Sequence, residues 1–291
     1  IKEWETSQSE QNENPDVFAE VLPEDKLNIV NFYQSRNHVV GMTGDGANDA
    51  PALKKADLGI AVSNSLEIAK QSAKVIFTSP GLSNIVDLIY TGKKIYKRIV
   101  LWIINKVVKT FQIVFFVSIA TLIIGKPIIT PAQMVLMLFL YDFVTMSIAT
   151  DNVVPSNKPE KWNVKKLIVL SLIFGSLKIG ELFLAMYLAF KYINLPFTKL
   201  QTLMFYFLLV SGLLNILNFR EEGFFLSSRP SNILLTTIIV DIVIATLISW
   251  LGIFVAKVPI LHILIAFIYI FFVTLVFTDL LKILVYKIIK I

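Results

Sequence analysis

Apolar and polar positions follow two different rhythms along this 291-residue chain. In the first ninety residues short apolar runs alternate with amphipathic ones. Leu27, Val30 and Tyr33 recur at helical spacing behind Pro23 and two acids, which predicts a helix over 23–36. "HVVGM" (38–42) reads as a short buried strand, and "NDAPALKKA" (48–56) as the start of a helix with Pro51 in its first turn. "LGIAV" (58–62), "SLEIAKQSA" (65–73) and "KVIFTS" (74–79) predict strand, helix and strand. Strands alternating with helices imply a parallel α/β sheet. The opening "IKEWETSQSEQNENP" reads as a polar loop or a cut edge.

Beyond residue 99 the rhythm changes to six apolar runs at 99–124, 131–149, 166–190, 198–218, 232–255 and 259–281. Each suffices for the roughly 20 residues that cross a bilayer. The polar breaks "GKPIITP", "NKPEKWNVKK", "FREEGFFLSSRP" and "AKVP" separate them. The expected organisation is a partial α/β domain over 1–90 and an all-α, six-helix transmembrane bundle over 91–291.

Composition narrows the class. The chain is 55% hydrophobic and 16% charged, with a net charge of +6 and no cysteine. Disulfides and cysteine metal sites are thereby excluded. A basic balance on so apolar a chain points to loops at a lipid bilayer and not to nucleic acid. Lys93, Lys94, Lys97, Arg98, Lys158, Lys161, Lys165, Lys166, Arg220, Arg229, Lys282, Lys287 and Lys290 fall on one side of the expected spans. Lys126, Lys191, Lys199 and Lys257 fall on the other. The asymmetry predicts a multi-pass protein whose soluble domain and C-terminus are both cytoplasmic. The first residue is Ile1, so a fragment or processed product is expected.

The chemistry concentrates in "VVGMTGDGANDAPALKKADLGIAV" (39–62). An acid flanked by Gly44 and Gly46 directly after a strand lies at the carboxyl end of a parallel sheet, where α/β folds bind ligands. Asp45 would point into that crevice, with Asp49 at the start of the next helix. Two hard oxygen donors suit Mg2+, which takes one or two carboxylates plus phosphate oxygens. Lys26 is a candidate phosphate contact as a point charge. The competing reading of Asp49 is a helix cap.

"MTGDGANDAPALKKADLGIAV" resembles the hinge signature of the P-type cation-transporting ATPases, and "FAEVLPEDK" resembles that family's lysine motif. "GKKIYKRI" extends the likeness into the family's fifth membrane helix. The resemblance implies the end of a haloacid-dehalogenase-like, Rossmann-like phosphorylation domain followed by the fifth to tenth membrane helices. It implies that Asp45 holds Mg2+ beside an aspartyl phosphate with Asp49 nearby, that Lys26 contacts the phosphate, and that Thr43 and Gly44 line the pocket. The sequence carries no "DKTGT", the motif of the phosphorylated aspartate, and no "TGES". ATP would be bound mainly by regions outside this chain, and the chain alone is expected to be inactive.

Ionisable residues within apolar spans are costly and are functional candidates. Asp142 lies about 16 Å along its helix from Pro131, and Lys109 about 15 Å along the preceding helix from Ile99. The two are expected to meet near mid-membrane, either as a proton carrier with its counter-charge or as a structural clamp. Ca2+ would need roughly six or more oxygens. "ATDNVVPSNKPEKW" (149–162) resembles the plasma-membrane proton-pump branch, whose fifth helix carries an arginine at the place of Gln112. Proton export is therefore the expected activity. A Ca2+ or Mg2+ pump and an inactive remnant or regulatory protein are the alternatives. Lys106 is expected to snorkel, Lys178 and Glu181 to pair, Asp241 to bond a neighbouring helix, and Asp279, Lys282 and His262 to face water.

Overall fold

The computed structural model describes residues 17–81, 83–156 and 162–289, the side chain of residue 289 excepted. The polar opening, the first half of the "NKPEKWNVKK" stretch, which holds Lys158 and Lys161, and Lys290 lie outside the described residues. The chain divides into two compact units, with the boundary between Ile89 and Tyr90.

In the first unit α1 spans Pro23–Ser35. Pro23 occupies a first-turn position whose N–H would have no partner in any case. The Asp25 carboxylate reaches back to accept the Leu22 N–H at 3.0 Å. Three parallel strands follow in the order β1 (Gly41–Gly44), β2 (Leu58–Ala61) and β3 (Val75–Ile76). Gly41 is in register with Leu58, and Ile60 with Val75. Between them lie α2 (Ala50–Lys55), entered through a 3-10 turn at Ala47–Asp49, and α3 (Glu67–Ser72).

The first strand begins three residues later than its apolar pattern predicts. His38 N–H is spent on Tyr33 O, closing α1, and Val40 N–H is spent on the Asp57 carboxylate. Val39 is 85% exposed and contributes nothing to the buried core. Val30, Ala52 and Ala56 form the small core, with Val40 and Met42 against it. Gly59 makes the helix–strand contact possible, because a Cβ there would lie 2.3 Å from Leu53 O.

Six helices in the described residues are long and apolar enough to cross a bilayer, so the chain is a multi-pass membrane protein. The first, α4, runs unbroken over Ser83–Ile124, well before the predicted start at 99. No proline interrupts it, and its polar first half continues the same helix. α5 (Pro131–Met146) is capped by Thr130 and Gln133 in a reciprocal box and ends in a 3-10 turn at Ser147–Thr150. α6 (Val164–Tyr192) and α7 (Phe197–Phe219) follow.

α7 is the axis of the second unit: 94% of its apolar window is buried. α8 (Asn232–Leu251) stops four residues short of its predicted end, because Gly252 turns left-handed (φ 83°) and returns its N–H to Ile248 O. The last span comprises α9 (Ile260–Phe272), a π turn at Val273–Phe277 and α10 (Thr278–Ile289). Outward apolar residues such as Phe139, Phe143 and Ile244 suit a lipid surface. Trp162 and Trp250 are exposed near span ends, where interfacial belts form, and Trp102 is exposed midway along α4.

Candidate functional site

The glycine-rich loop is built around Asp49. Its Oδ2 accepts the N–H groups of Asp45 (3.2 Å) and Gly46 (3.4 Å), and its Oδ1 takes the Lys26 ammonium at 2.6 Å. Burial pushes the Asp49 carboxyl up, but Lys26 and the two amides outweigh it and hold the group below its ordinary 3.8. Gly44 lets the carboxylate fold back over the chain: a Cβ there would stand 2.5 Å from Asp49 Cβ. Ser65 Oγ donates to Gly44 O at 3.2 Å, and Leu66 N–H to Asp45 O at 2.8 Å.

The backbone of Asp45 is therefore pinned from both sides, while its carboxylate is exposed and bonded to none of the described residues. Thr43, at the end of β1, is exposed beside it. No three His, Cys, Asp or Glu residues cluster into a metal cage among the described residues. Mg2+ needs only one or two carboxylates with water and phosphate oxygens, so the free Asp45 carboxylate fits its donor chemistry. The oxygens of Asp49 are already committed to an ammonium and two amides. Of the expected pocket residues, Lys26, Gly44, Asp45 and Asp49 are brought together by these contacts.

The bundle carries the second constellation, with a change of partners. Lys109 does not meet Asp142. Its Nζ donates to Leu208 O of α7 at 2.5 Å, with the Tyr141 ring centroid 5.2 Å away. Gly212 makes the room, since a Cβ there would be 2.8 Å from that nitrogen. Asp142 instead pairs with Lys106, which was expected to snorkel. The reason is helical phase. Successive residues turn by about 100°, so with Tyr141 facing inward its neighbour Asp142 turns to the outer face. The Asp142 side chain is 56% exposed, among exposed Leu138, Phe139 and Phe143. Gln112 is fully buried and donates to Ser211 Oγ at 3.3 Å.

Elsewhere Lys178 and Glu181 pair as expected, and both bond Thr274 in the π turn. Asp279 and Lys282 do not face water. They are fully buried and paired at 2.5 Å, with Lys282 also donating to Asn218 O and Asp279 accepting Phe225 N–H. The wider π turn before them shifts the helix phase and turns them inward. His262 is half-buried, and its Nδ1 has no partner. Asp241 Oδ2 makes no hydrogen bond to a neighbouring helix among the described residues.

One cluster escaped the sequence reading. Asp151, just past α5, accepts Arg220 Nε at 2.6 Å and Ser231 N–H at 3.0 Å, while its backbone oxygen takes Arg98 at 2.7 Å. Residues at the ends of three spans and within α4 thus converge on one buried residue, Arg220 and Ser231 on its carboxylate and Arg98 on its backbone oxygen. The available signal was an acid and an arginine each placed directly after a span on the same side.

Residues 27–88 match the family model of haloacid dehalogenase-like hydrolases. A Methanocaldococcus jannaschii protein whose name places it among cation-transporting ATPases is 38% identical over 247 residues, which is 84% of this chain and 31% of that one. Plasma membrane ATPase 1 of Saccharomyces cerevisiae is 36% identical over 245 residues, 82% of this chain and 26% of its own. The plasma membrane ATPase of Kluyveromyces lactis is 39% identical over 163 residues, 56% and 18% respectively. The chain spans less than a third of the length of these relatives.

Proposed function

Because this chain belongs to the P-type cation-transporting ATPases and matches the carboxyl-terminal part of its relatives, we propose that it forms the membrane half of an ATP-driven pump that exports protons across the plasma membrane. The observation that carries the reading is the Asp142–Lys106 pair on an apolar span. A lone carboxylate with one basic neighbour can alternate between a neutral acid and a paired anion. Taking up a proton frees Lys106; releasing it restores the pair. Lys106, where Lys109 was expected, is the counter-charge. Lys109 and Gln112 fasten α4 to α7 through Leu208 O and Ser211 Oγ. The exposed face around Asp142 would be covered by the remainder of the pump, since an open ion pair in lipid is expensive.

In the α/β unit Asp45 would hold Mg2+, which neutralises phosphoryl oxygens when bound. Asp49 sets the loop and, by pairing, aims Lys26 toward the same end of the sheet. ATP and the phosphorylated aspartate would come from the rest of the pump, and α4 would transmit the cycle. The α/β unit and the C-terminus would lie in the cytoplasm.

The test is ATP-driven acidification of vesicles carrying the complete pump. Asp142→Asn abolishes pumping, and Lys106→Met lowers it at least about tenfold, the cost of about 1.4 kcal/mol at the carrier. Unchanged pumping by Asp142→Asn overturns the carrier role. Activity that requires Ca2+ overturns the choice of ion.

A further inference from the structure

Asp241 has no part in this scheme, yet it is a carboxyl in the middle of α8 with only 3% of the residue exposed. Its Oδ2 is fully enclosed and has no hydrogen-bond partner among the described residues. Buried carboxyl oxygens without donors are rare in proteins, and those within membrane spans mark functional positions.

Cross-helix bonds fix its depth. Tyr206 OH and Thr246 Oγ1 lie 3.0 Å apart on antiparallel α7 and α8. Five residues along each helix, Asp241 comes level with Ser211. On the other side Ser147 Oγ and Thr237 Oγ1 are 2.9 Å apart. Four residues along each, Asp241 comes level with Phe143, next to Asp142. Ser211 accepts from Gln112 Nε2, and Gln112 Oε1 is itself buried and without a partner. One layer of the bundle thus holds Asp241 and an acceptor oxygen with no donor.

The charged and titratable groups on the elements packed against α8 are either bonded elsewhere or placed near the helix ends, away from the layer of Asp241. On α7, Tyr206 is bonded to Thr246, and Lys199 lies at the helix start. On α5, Tyr141 donates to Asn105 O and Asp142 pairs with Lys106. On α9, Tyr269 donates to Glu181 O, and His262 lies in the first turn. Lys109 of α4 reaches Leu208 O. None of these cations is paired with Asp241 among the described residues, so an ionised Asp241 would stand uncompensated, which a low-dielectric interior penalises heavily. A proton is the smallest ligand that removes this penalty.

We propose that Asp241 is a second proton-binding site of the membrane domain, in the same layer as Asp142 and separate from it. The carboxyl binds one proton reversibly as the neutral acid. This goes beyond the proposed carrier role of Asp142 and does not depend on it.

The experiment uses the full chain in lipid nanodiscs, treated with a hydrophobic carbodiimide, which reacts with protonated carboxyls, and mapped by peptide mass spectrometry. At neutral pH the Asp241 peptide carries the adduct, and the yield falls at least about tenfold as the pH is raised and the acid ionises. Infrared difference spectra of the wild type minus Asp241→Asn show a neutral carboxylic C=O band at neutral pH. Both signals persist in Asp142→Asn, which separates this site from the carrier. Absence of the neutral-acid band at every pH overturns the proposal. So does protection of Asp241 by NaCl or KCl at fixed pH, which would make it a metal-cation site.

Discussion

Replacing Asp151 by alanine isolates a fully buried ion pair that joins two span ends. Its carboxylate and the Arg220 guanidinium are 2.6 Å apart, with side-chain exposures of 0% and 1%, so no solvent screening discounts the pair. Asp151→Ala leaves a buried guanidinium uncompensated, a loss of about 3–5 kcal/mol. Ser231 N–H loses its acceptor as well, which favours the upper part of that range. Arg220 keeps carbonyl contacts to Ser228 at 3.1 Å and Arg229 at 3.3 Å, which pull the figure down.

The estimate is therefore about 4 kcal/mol, the middle of the range for breaking a buried pair. Equilibrium unfolding in mixed micelles, followed by tryptophan fluorescence, measures it. The double variant Asp151→Leu with Arg220→Met should be less destabilised than Asp151→Ala, because no buried charge is stranded. A single-variant loss below about 1 kcal/mol, the scale of exposed pairs, refutes the reasoning. So does a double variant that loses the sum of both singles.

Two further outcomes follow from the α/β unit. Gly59→Ala forces a Cβ to within 2.3 Å of Leu53 O, a backbone atom that cannot swing away, so the unit should lose about 1–3 kcal/mol by overpacking. Peptide-resolved hydrogen exchange over β1 and β2 reads the loss, and unchanged protection would contradict it. Acid should also destabilise this unit. The Asp49 carboxyl is held below 3.8 when folded, so its stabilisation is present above the unfolded value and is lost as pH falls through the lower folded one. Asp57 acts in the same direction, through the Val40 N–H and Gln34. Exchange protection should collapse over that acid range in the wild type, and Asp49→Asn should flatten the collapse; an identical acid limb in both would argue against the linkage.

The rhythm of apolar residues determined most of the architecture. Parallel strands around short helices, six spans and the turn at Gly44–Asp45–Gly46 all follow from local pattern, because a helix or strand displays its period in the side chains that it must bury. Where the pattern misled, a specific bond had intervened. Asp57 took the Val40 N–H and delayed β1, Gly252 ended α8, and the π turn rotated Asp279 and Lys282 inward.

Partner choice was decided by tertiary structure alone. The sequence placed Lys109 and Asp142 near mid-membrane and sent Lys106 to the surface, yet it is Lys106 that meets the carboxylate. A rise of 1.5 Å per residue fixes depth, whereas azimuth depends on how α4, α5 and α7 are rotated against one another. Gly212 opened a seat for Lys109 on α7, and Tyr141 took the inward position, leaving Asp142 to Lys106. Asp151 and Arg220 are 69 positions apart and joined only by the packing of span ends, so the sequence showed an acid and an arginine each following a span but not that they meet.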